Sequence, residues 1–295
     1  MSSIKNTKLN TKLNSTNTNS TNNTKFNNII SSSNVLLKLF STITIAVITC
    51  ILIGNYAFKN GMLTCNNYIL NTYLYIILSI LLIFMVVLVN DKFGIFNSLL
   101  MWMYQGSMFK IVLIFLLLLS VLIGLSIALV YVNPNNIVAS NLIWASLILT
   151  LGIFLIPTIW FGRLTDVVGI AGMLTILITI VVGFLGYYYG NEIVTFDWDK
   201  YLNYALIVLI LVMIVGPLMI TEPSTMYMFY MVVSIIGLII FVLLLLSNHK
   251  QLKQNADKCI DGKVVPNYPV ESFNIFIKML NIFQDLISIL GMSKR

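Results

Sequence analysis

Long apolar runs separated by short polar connectors make up most of the chain after residue 33. Each run is close to the roughly 20 residues that an α-helix needs to cross the hydrocarbon core of a bilayer. None alternates apolar and polar positions as a strand of a membrane β-barrel does. The pattern predicts an all-α, polytopic membrane bundle of seven to eight transmembrane helices, with spans at about 35–56, 71–89, 111–132, 138–161, 167–189, 202–220, 227–246 and 271–291. Because the connectors are short, residues 34–292 are predicted to form one domain.

The last run, ESFNIFIKMLNIFQDLISILG, is apolar enough to enter a bilayer but carries polar residues at regular intervals. They step by three and four positions, which places them in one stripe on a helix: Glu271, Asn274, Lys278, Asn281, Asp285 and Ser288. A lysine near the middle of a span costs about 2.5–3.5 kcal/mol on insertion scales, so it should be paired or hydrated. We therefore predict that 271–291 is a buried span in the bundle interior, that its stripe faces protein or a water-filled cavity, and that its apolar sides face outwards. A purely structural role, as a bond that locks the bundle, is an equally open interpretation.

Small residues recur at helical spacing in two other runs, where they would let helix backbones approach closely. The positions are Ser120, Gly124 and Ala128 in one run and Ala171, Thr175, Thr179 and Gly183 in another. Both sets predict helix-packing seams. Pro157 and Pro217 fall inside apolar runs and are expected to bend or break their helices.

The composition is typical of a membrane protein and limits the kinds of partner that we expect. The chain is 59% hydrophobic and only 9% charged, with a mean hydropathy of +0.95. Its net charge of +7 includes no basic face with interleaved aromatic residues, so we expect no nucleic-acid partner. The expected partners are the lipid bilayer and other membrane proteins.

The N-terminal segment 1–33 consists mainly of Asn, Ser, Thr and Lys and is predicted to be disordered. It lacks acidic residues, as mitochondrial transit peptides do, but it also lacks arginine. A targeting segment and compositional drift are therefore both open explanations of its composition. With eight spans, ten lysines and arginines collect on the N-terminal side and six on the other, which favours an internal N-terminus.

Motifs for catalysis are not found. The chain has no GxSxG, HExxH, phosphate loop or Gly-rich dinucleotide turn, so we expect neither an enzyme nor a bound cofactor or metal. Cys50, Cys65 and Cys259 are odd in number and have no CxxC spacing, which predicts neither a disulfide framework nor a thiolate metal site. His249 follows an apolar run and is expected to lie at the membrane interface.

Three segments resemble the Bax inhibitor-1 family. The end of the chain, YPVESFNIFIKMLNIFQDLISILGMSKR, is similar to the family's C-terminal helix with its pattern L-Y-x-D-x-x-N-x-F; Asn281 and Phe283 match, whereas Lys278 stands at the aspartate. The segment PSTMYMFYMVVSIIGLIIFVLLLLSNHKQLKQNADK is similar to the family's helix that ends in Asp-Thr-Gln, with Asn248 at that aspartate. A third segment, GLSIALVYVNPNNIVASNLIWASLILTLG, resembles the family's third and fourth helices. The resemblance covers about residues 111–292.

The resemblance implies a bundle of seven or eight helices that restrains cell death and passes a pH-sensitive calcium or proton leak. In the family this leak is attributed to two aspartates that share a proton. Neither aspartate is present here, because Asn248 cannot titrate and Lys278 carries the opposite charge. The candidate pore or gate residues are therefore those of the altered site: Lys278, Asn248, Asn281, Asp285 and Asn274.

Three hypotheses follow. The first is a divergent member that modulates cell death or organelle calcium and proton balance, with its cation leak lost. It resembles most the family's mitochondrial growth-hormone-inducible branch, through the Y-P-V-E-S approach to the last helix and the extra span at 202–220. That branch implies the mitochondrial inner membrane, with the endoplasmic reticulum or Golgi as the alternative. The second hypothesis is a structural transmembrane subunit of a larger complex, and the third is a secondary transporter built on helices broken at Pro157 and Pro217.

Overall fold

A computed structural model describes residues 35–59, 62–94, 108–194, 198–220 and 222–294. Within these ranges the chain forms eight α-helices: α1 (Val35–Ala57), α2 (Tyr68–Phe93), α3 (Met108–Tyr131), α4 (Ile137–Leu164), α5 (Val168–Ile193), α6 (Trp198–Met219), α7 (Pro223–Ile260) and α8 (Tyr268–Ser293). Two short antiparallel strands, β1 (Phe58–Lys59) and β2 (Met62–Leu63), connect α1 to α2. The N-terminal segment that was predicted to be disordered lies outside the described residues.

Each predicted span corresponds to a helix, which confirms the all-α polytopic bundle. Seven helices of the described ranges are long and apolar enough to cross a membrane, and α3 contributes a shorter apolar segment, Leu116–Tyr131. The helix α7 continues well beyond the predicted end of its span at residue 246. Hydropathy falls there because Lys, Gln and Asn replace apolar residues, but Lys and Gln are good helix formers, so the helix continues.

Helix α8 lies at the centre of the bundle, where it packs against α2, α3, α4, α5 and α7. Its side chains Ile275, Ile282 and Ile287 are at most 1% exposed. The prediction that the apolar sides of this helix face outwards was therefore wrong. A lipid tail and the side chains of a neighbouring helix are equally apolar, so hydropathy cannot distinguish the two environments.

The seam predicted on α5 is confirmed. Its small residues are buried, and the seam extends to Gly186 and Gly190, where α5 meets α7. Thr175 and Thr179 donate their hydroxyls to carbonyls of their own helix at 2.8 Å. These buried hydroxyls therefore need no hydrogen-bond partner on another helix. The seam predicted on α3 is not covered by another described helix, because Ser120 and Gly124 are exposed.

The close packing of α5 on α7 predicts that a side chain at Gly186 would destabilise the protein. A Cβ atom there would lie 2.7 Å from both His249 Cβ and the Leu246 carbonyl oxygen, and the latter is backbone that cannot move aside. We expect Gly186→Ala to destabilise the protein by about 1–3 kcal/mol, as overpacking does. Gly124→Ala is the matched control, since nothing lies within 4 Å of its Cβ. Thermal melting in detergent should separate the two variants; equal melting temperatures would contradict the close approach.

His249 lies inside the bundle, between α2, α5 and α7; its position at the membrane interface stays a prediction. Its side chain is 2% exposed. The ring nitrogen Nδ1 lies 2.8 Å from the Leu245 carbonyl oxygen, and Nε2 lies 2.8 Å from the Tyr73 hydroxyl. Gly183 leaves room for the ring, because a Cβ there would lie 3.1 Å from Nε2. The histidine thus links α7 to α2 across the α5 seam.

A disulfide joins Cys65, just before α2, to Cys259, at the end of α7. The sequence-based expectation of no disulfide was wrong. Two of the three cysteines form the bond, and the third, Cys50, is free and exposed. Six helices of the described residues, α2 to α7, lie between the two cysteines. An even number of crossings returns the chain to the same side of the membrane, so the bond is consistent with α3 crossing as well.

A network of buried polar groups surrounds this disulfide. Asn71 is fully buried and donates to the carbonyls of Tyr56 at 3.1 Å and Asn66 at 3.2 Å. Its amide also donates to the Tyr268 hydroxyl at 3.2 Å, and that hydroxyl donates to the carbonyl of Thr64. The network fastens the end of α1 and the connector with β1 and β2 to the start of α8.

Candidate functional site

A cavity of about 520 Å³ lies between α4, α6, α7 and α8. Its volume falls within the range of small-molecule sites in proteins. Helix α8 contributes much of its polar wall, with Lys278, Asn281, Gln284, Asp285 and Ser288. The other described helices contribute Thr158 from α4, Asn203 from α6, Ser234 and Gly237 from α7, and several apolar side chains.

The polar stripe of α8 thus lines a cavity over its second half only. Its first member, Glu271, lies outside the cavity, where its Oε1 accepts hydrogen bonds from Asn255 Nδ2 at 2.7 Å and from the Tyr68 hydroxyl at 3.2 Å. The next member, Asn274, is exposed. The stripe therefore has two parts, one that holds the bundle together near the disulfide and one that faces the cavity.

Asn248 lies beside the stripe on α7, as the predicted pairing requires. Its Nδ2 donates to the Asn274 carbonyl oxygen at 2.9 Å. Asn274 lies one helical turn before Lys278, so the amide binds α8 next to the lysine. The structure thus brings Asn248 and Asn274 together, and Lys278, Asn281 and Asp285 line the neighbouring cavity.

Asp285 packs directly on the backbone of α7. Gly237 makes this approach possible, because a Cβ atom there would lie 2.9 Å from Asp285 Oδ2 and 3.3 Å from Oδ1. Oδ2 is buried and has no hydrogen-bond partner among the described residues. A buried carboxylate oxygen without a donor is unfavourable by several kcal/mol, so this atom marks a place where a donor would bind.

The cavity carries one charge of each sign. Among the described residues that line it, Lys278 and Asp285 are the charged ones. They lie seven residues apart on one face of α8, a separation of about 10.5 Å along the helix axis. The same wall of the cavity therefore carries a positive group at Lys278 and a negative group two helical turns further on, at Asp285.

The polar residues of the cavity wall opposite α8 were not predicted from the sequence. Asn203 and Ser234 each stand alone in an apolar run, and a single polar residue in a span is a weak signal without its neighbours in space. Thr158 follows Pro157, and α4 continues through that proline just as α6 continues through Pro217. Of the predicted bend or break, the break is therefore absent from both helices, and the transporter hypothesis loses the broken helices on which it depended.

The family model described as "Inhibitor of apoptosis-promoting Bax1" matches residues 65–295, most of the chain. The protein belongs to the Bax inhibitor-1 family. A search of the curated proteins found no match. The match extends beyond the predicted coverage of 111–292 to include α2 and begins at Cys65, so α1 precedes the family region. Within this family the chain is a multi-pass membrane protein whose cavity contains a lysine on its last helix.

Proposed function

We propose that this Bax inhibitor-1 protein is a divergent, non-enzymatic member that modulates cell death or organelle ion balance, with the family's cation leak lost. The observation that carries the proposal is the position of Lys278 in the wall of the cavity formed by α6, α7 and α8. A fixed positive charge inside a membrane cavity repels cations, because the low dielectric there strengthens the repulsion.

Asn248 supports the same conclusion from the neighbouring helix. Its amide is a neutral group that donates to the Asn274 carbonyl and so fastens α7 to α8. A pair of carboxylates that shares a proton cannot form at positions 248 and 278, because the residues there are an asparagine and a lysine. Proton-controlled opening by such a pair is therefore lost together with the cation route.

For location, we propose the mitochondrial inner membrane, as in the growth-hormone-inducible branch, with the endoplasmic reticulum or Golgi as the alternative. The Cys65–Cys259 disulfide indicates that this end of the bundle faces an oxidising compartment. The N-terminus then lies on the opposite side, with the larger number of lysines and arginines, in agreement with the positive-inside rule. Microscopy of a tagged protein would test the organelle.

The alternative function, a structural subunit of a larger membrane complex, has one specific observation in its favour. Ser120 and Gly124 form a small-residue step on the exposed side of α3, where another helix could approach closely. Purification of the protein as part of a large stable assembly would support this alternative, whereas a monomer would argue against it.

Calcium flux into liposomes tests the loss of the leak. We expect the purified wild-type protein to pass little calcium, because Lys278 repels it. The double variant Asn248→Asp with Lys278→Asp restores both carboxylates and is expected to leak calcium at a clearly higher rate.

The matched control places the same changes outside the cavity, as Asn135→Asp with Lys200→Asp, where both residues are exposed. It should behave like the wild type. Strong calcium flux through the wild-type protein would refute the blocked route. A folded double variant that passes no calcium would do so too, and would favour a structural role for the stripe.

A further inference from the structure

We propose that a groove between α2 and α5 binds one acyl chain of an anionic phospholipid, with the lipid's phosphate group near Lys92 and Lys294. The groove has a volume of about 240 Å³. Among the described residues, it shares none of its lining with the cavity that Lys278 lines, because the two lie on different faces of α8. The proposal therefore does not depend on the proposed loss of the cation leak.

Four helices form the walls of the groove. Helices α2 and α5 each pack on α8, and side chains of α4 and α8 close the space between them. The lining residues of α8 are buried or half-buried: Phe276, Met279, Leu280 and Phe283. On α2 the lining extends from Ile80 to Val87, which is about 10.5 Å along the helix axis. One leaflet is half of a hydrocarbon core of about 30 Å, so the groove is long enough for most of one acyl chain.

The lining is almost entirely apolar and suits a hydrocarbon chain. Among the described lining residues, Thr175 and Arg163 are the polar ones. The Thr175 hydroxyl donates to the Ala171 carbonyl at 2.8 Å, and Arg163 donates to both carboxylate oxygens of Asp91. A polar solute would lose its hydration in the groove without gaining new partners. An acyl chain would bury its methylene groups there without that cost.

The groove opens towards the lipid-facing surface of the bundle. Ile80, Phe84 and Ile176 line it and are 42%, 45% and 53% exposed. Ile77 on α2 and Met173 on α5 are exposed beside them. Exposed apolar side chains on membrane-spanning helices contact lipid tails, which are as apolar as they are. An acyl chain can therefore enter sideways between α2 and α5 without crossing a polar surface.

One end of the groove lies where α4 ends. Arg163 lines the groove there, one residue before the end of α4, and forms an ion pair with Asp91 at 2.6 Å. This pair joins α4 to α2 and has no net charge. The turn after Arg163 leads to Val168, which begins α5 and also lines the groove. A lipid whose chain occupies the groove would therefore have its headgroup beside this turn.

Two lysines at this end favour an anionic headgroup. Lys294 Nζ donates to the carbonyl oxygens of Thr165 and Asp166 at 3.1 Å. An ammonium group has three donors, so one remains for a phosphate oxygen. Lys92 Nζ lies 5.4 Å from the centre of the Phe93 ring, which is also a neutral group. The cations of this end are Lys92, Arg163 and Lys294, and its carboxylates are Asp91 and Asp166. The excess is positive, and basic groups between membrane helices bind anionic headgroups.

Photo-crosslinking of the full-length protein in liposomes tests the groove, with phosphatidylglycerol that carries a diazirine on one acyl chain as the probe. Met279 and Leu280 line the groove but are only 8% and 9% exposed, so a lipid reaches them only through the groove. We expect the wild-type protein to be labelled in the α8 peptide that contains them. Phosphatidylcholine with the same diazirine chain should label this peptide about fivefold less, as expected when the attraction of one lysine is lost.

Variants assign the labelling to the groove and to the lysines. Gly172 lines the groove, and a Cβ there would lie 4.0 Å from Phe283, an ordinary contact. Gly172→Leu should therefore fold but occupy the groove, and should reduce labelling of the α8 peptide about tenfold, the effect of losing about two buried methylene groups. Gly124→Leu is the matched control on the exposed side of α3, where nothing lies within 4 Å of a Cβ, and should be labelled like the wild type. Lys92→Gln with Lys294→Gln should remove the preference for phosphatidylglycerol.

The pattern of labelling decides the proposal. Labelling of the α8 peptide that Gly172→Leu removes and Gly124→Leu keeps supports the site. Labelling confined to exposed residues such as Met173 would overturn it even if Gly172→Leu failed to fold, because this result needs only the wild type. Unchanged labelling of α8 in a folded Gly172→Leu variant would overturn it as well. Equal labelling of α8 by the two lipids would overturn the anionic headgroup. Calcium flux through the wild type would overturn only the blocked route, because crosslinking reports on lipid alone.

Discussion

Removing the Cys65–Cys259 disulfide is expected to destabilise the protein by about 2–4 kcal/mol, the usual range for a native disulfide. The bond closes a loop with a sequence separation of 194, so it greatly restricts the unfolded chain. The variant is Cys65→Ser with Cys259→Ser, and the measurement is unfolding of the purified protein in detergent. Addition of a reductant to the wild type should give the same loss of stability.

Cys50→Ser provides the control for this experiment, since Cys50 is free and exposed on α1. It should unfold like the wild type and should respond to reductant in the same way. If the double variant were as stable as the wild type, the disulfide would contribute nothing to the folded bundle. The observed closeness of α7 to the connector before α2 would then depend on the polar network alone.

Asn71→Ala is expected to destabilise the protein by about 2–4 kcal/mol, because it removes the hydrogen bonds of a fully buried amide and leaves a space in the packed interior. The fully buried amide donates to the carbonyls of Tyr56 and Asn66. The Tyr268 hydroxyl also loses its bond from Asn71. Thermal melting would measure the effect.

The matched control is Asn135→Ala, which removes the same side chain from an exposed position between α3 and α4. It should change the melting temperature little. Limited proteolysis of the Asn71 variant gives a second measurement, because the connector with β1 and β2 should be cut more readily once its carbonyls are released. Unchanged melting and unchanged cleavage together would show that the network does not hold this connector.

The candidate site could be predicted in part. Lys278, Asn281 and Asp285 follow from the spacing of polar residues in 271–291, and the structure places all three on the cavity. Asn274 and Glu271 share that spacing but lie elsewhere, because the neighbouring helices cover different parts of the stripe. Spacing shows which side chains share a face of a helix, whereas the packing of α6 and α7 decides which part of that face is open.

The sequence by itself predicted a bundle of seven to eight helices, the approximate bounds of the eight that the described residues form, and the polar stripe, since hydropathy and periodicity are properties of residues close together in the chain. Family membership also followed from local segments. Only the tertiary structure decided which helices surround α8, that Cys65 bonds Cys259, and that Gly237 admits the carboxylate of Asp285. Each of these depends on which helix surfaces meet. Inside a bilayer lipid and protein are equally apolar, so the hydrophobic pattern leaves the choice of neighbours to shape, small residues and hydrogen bonds.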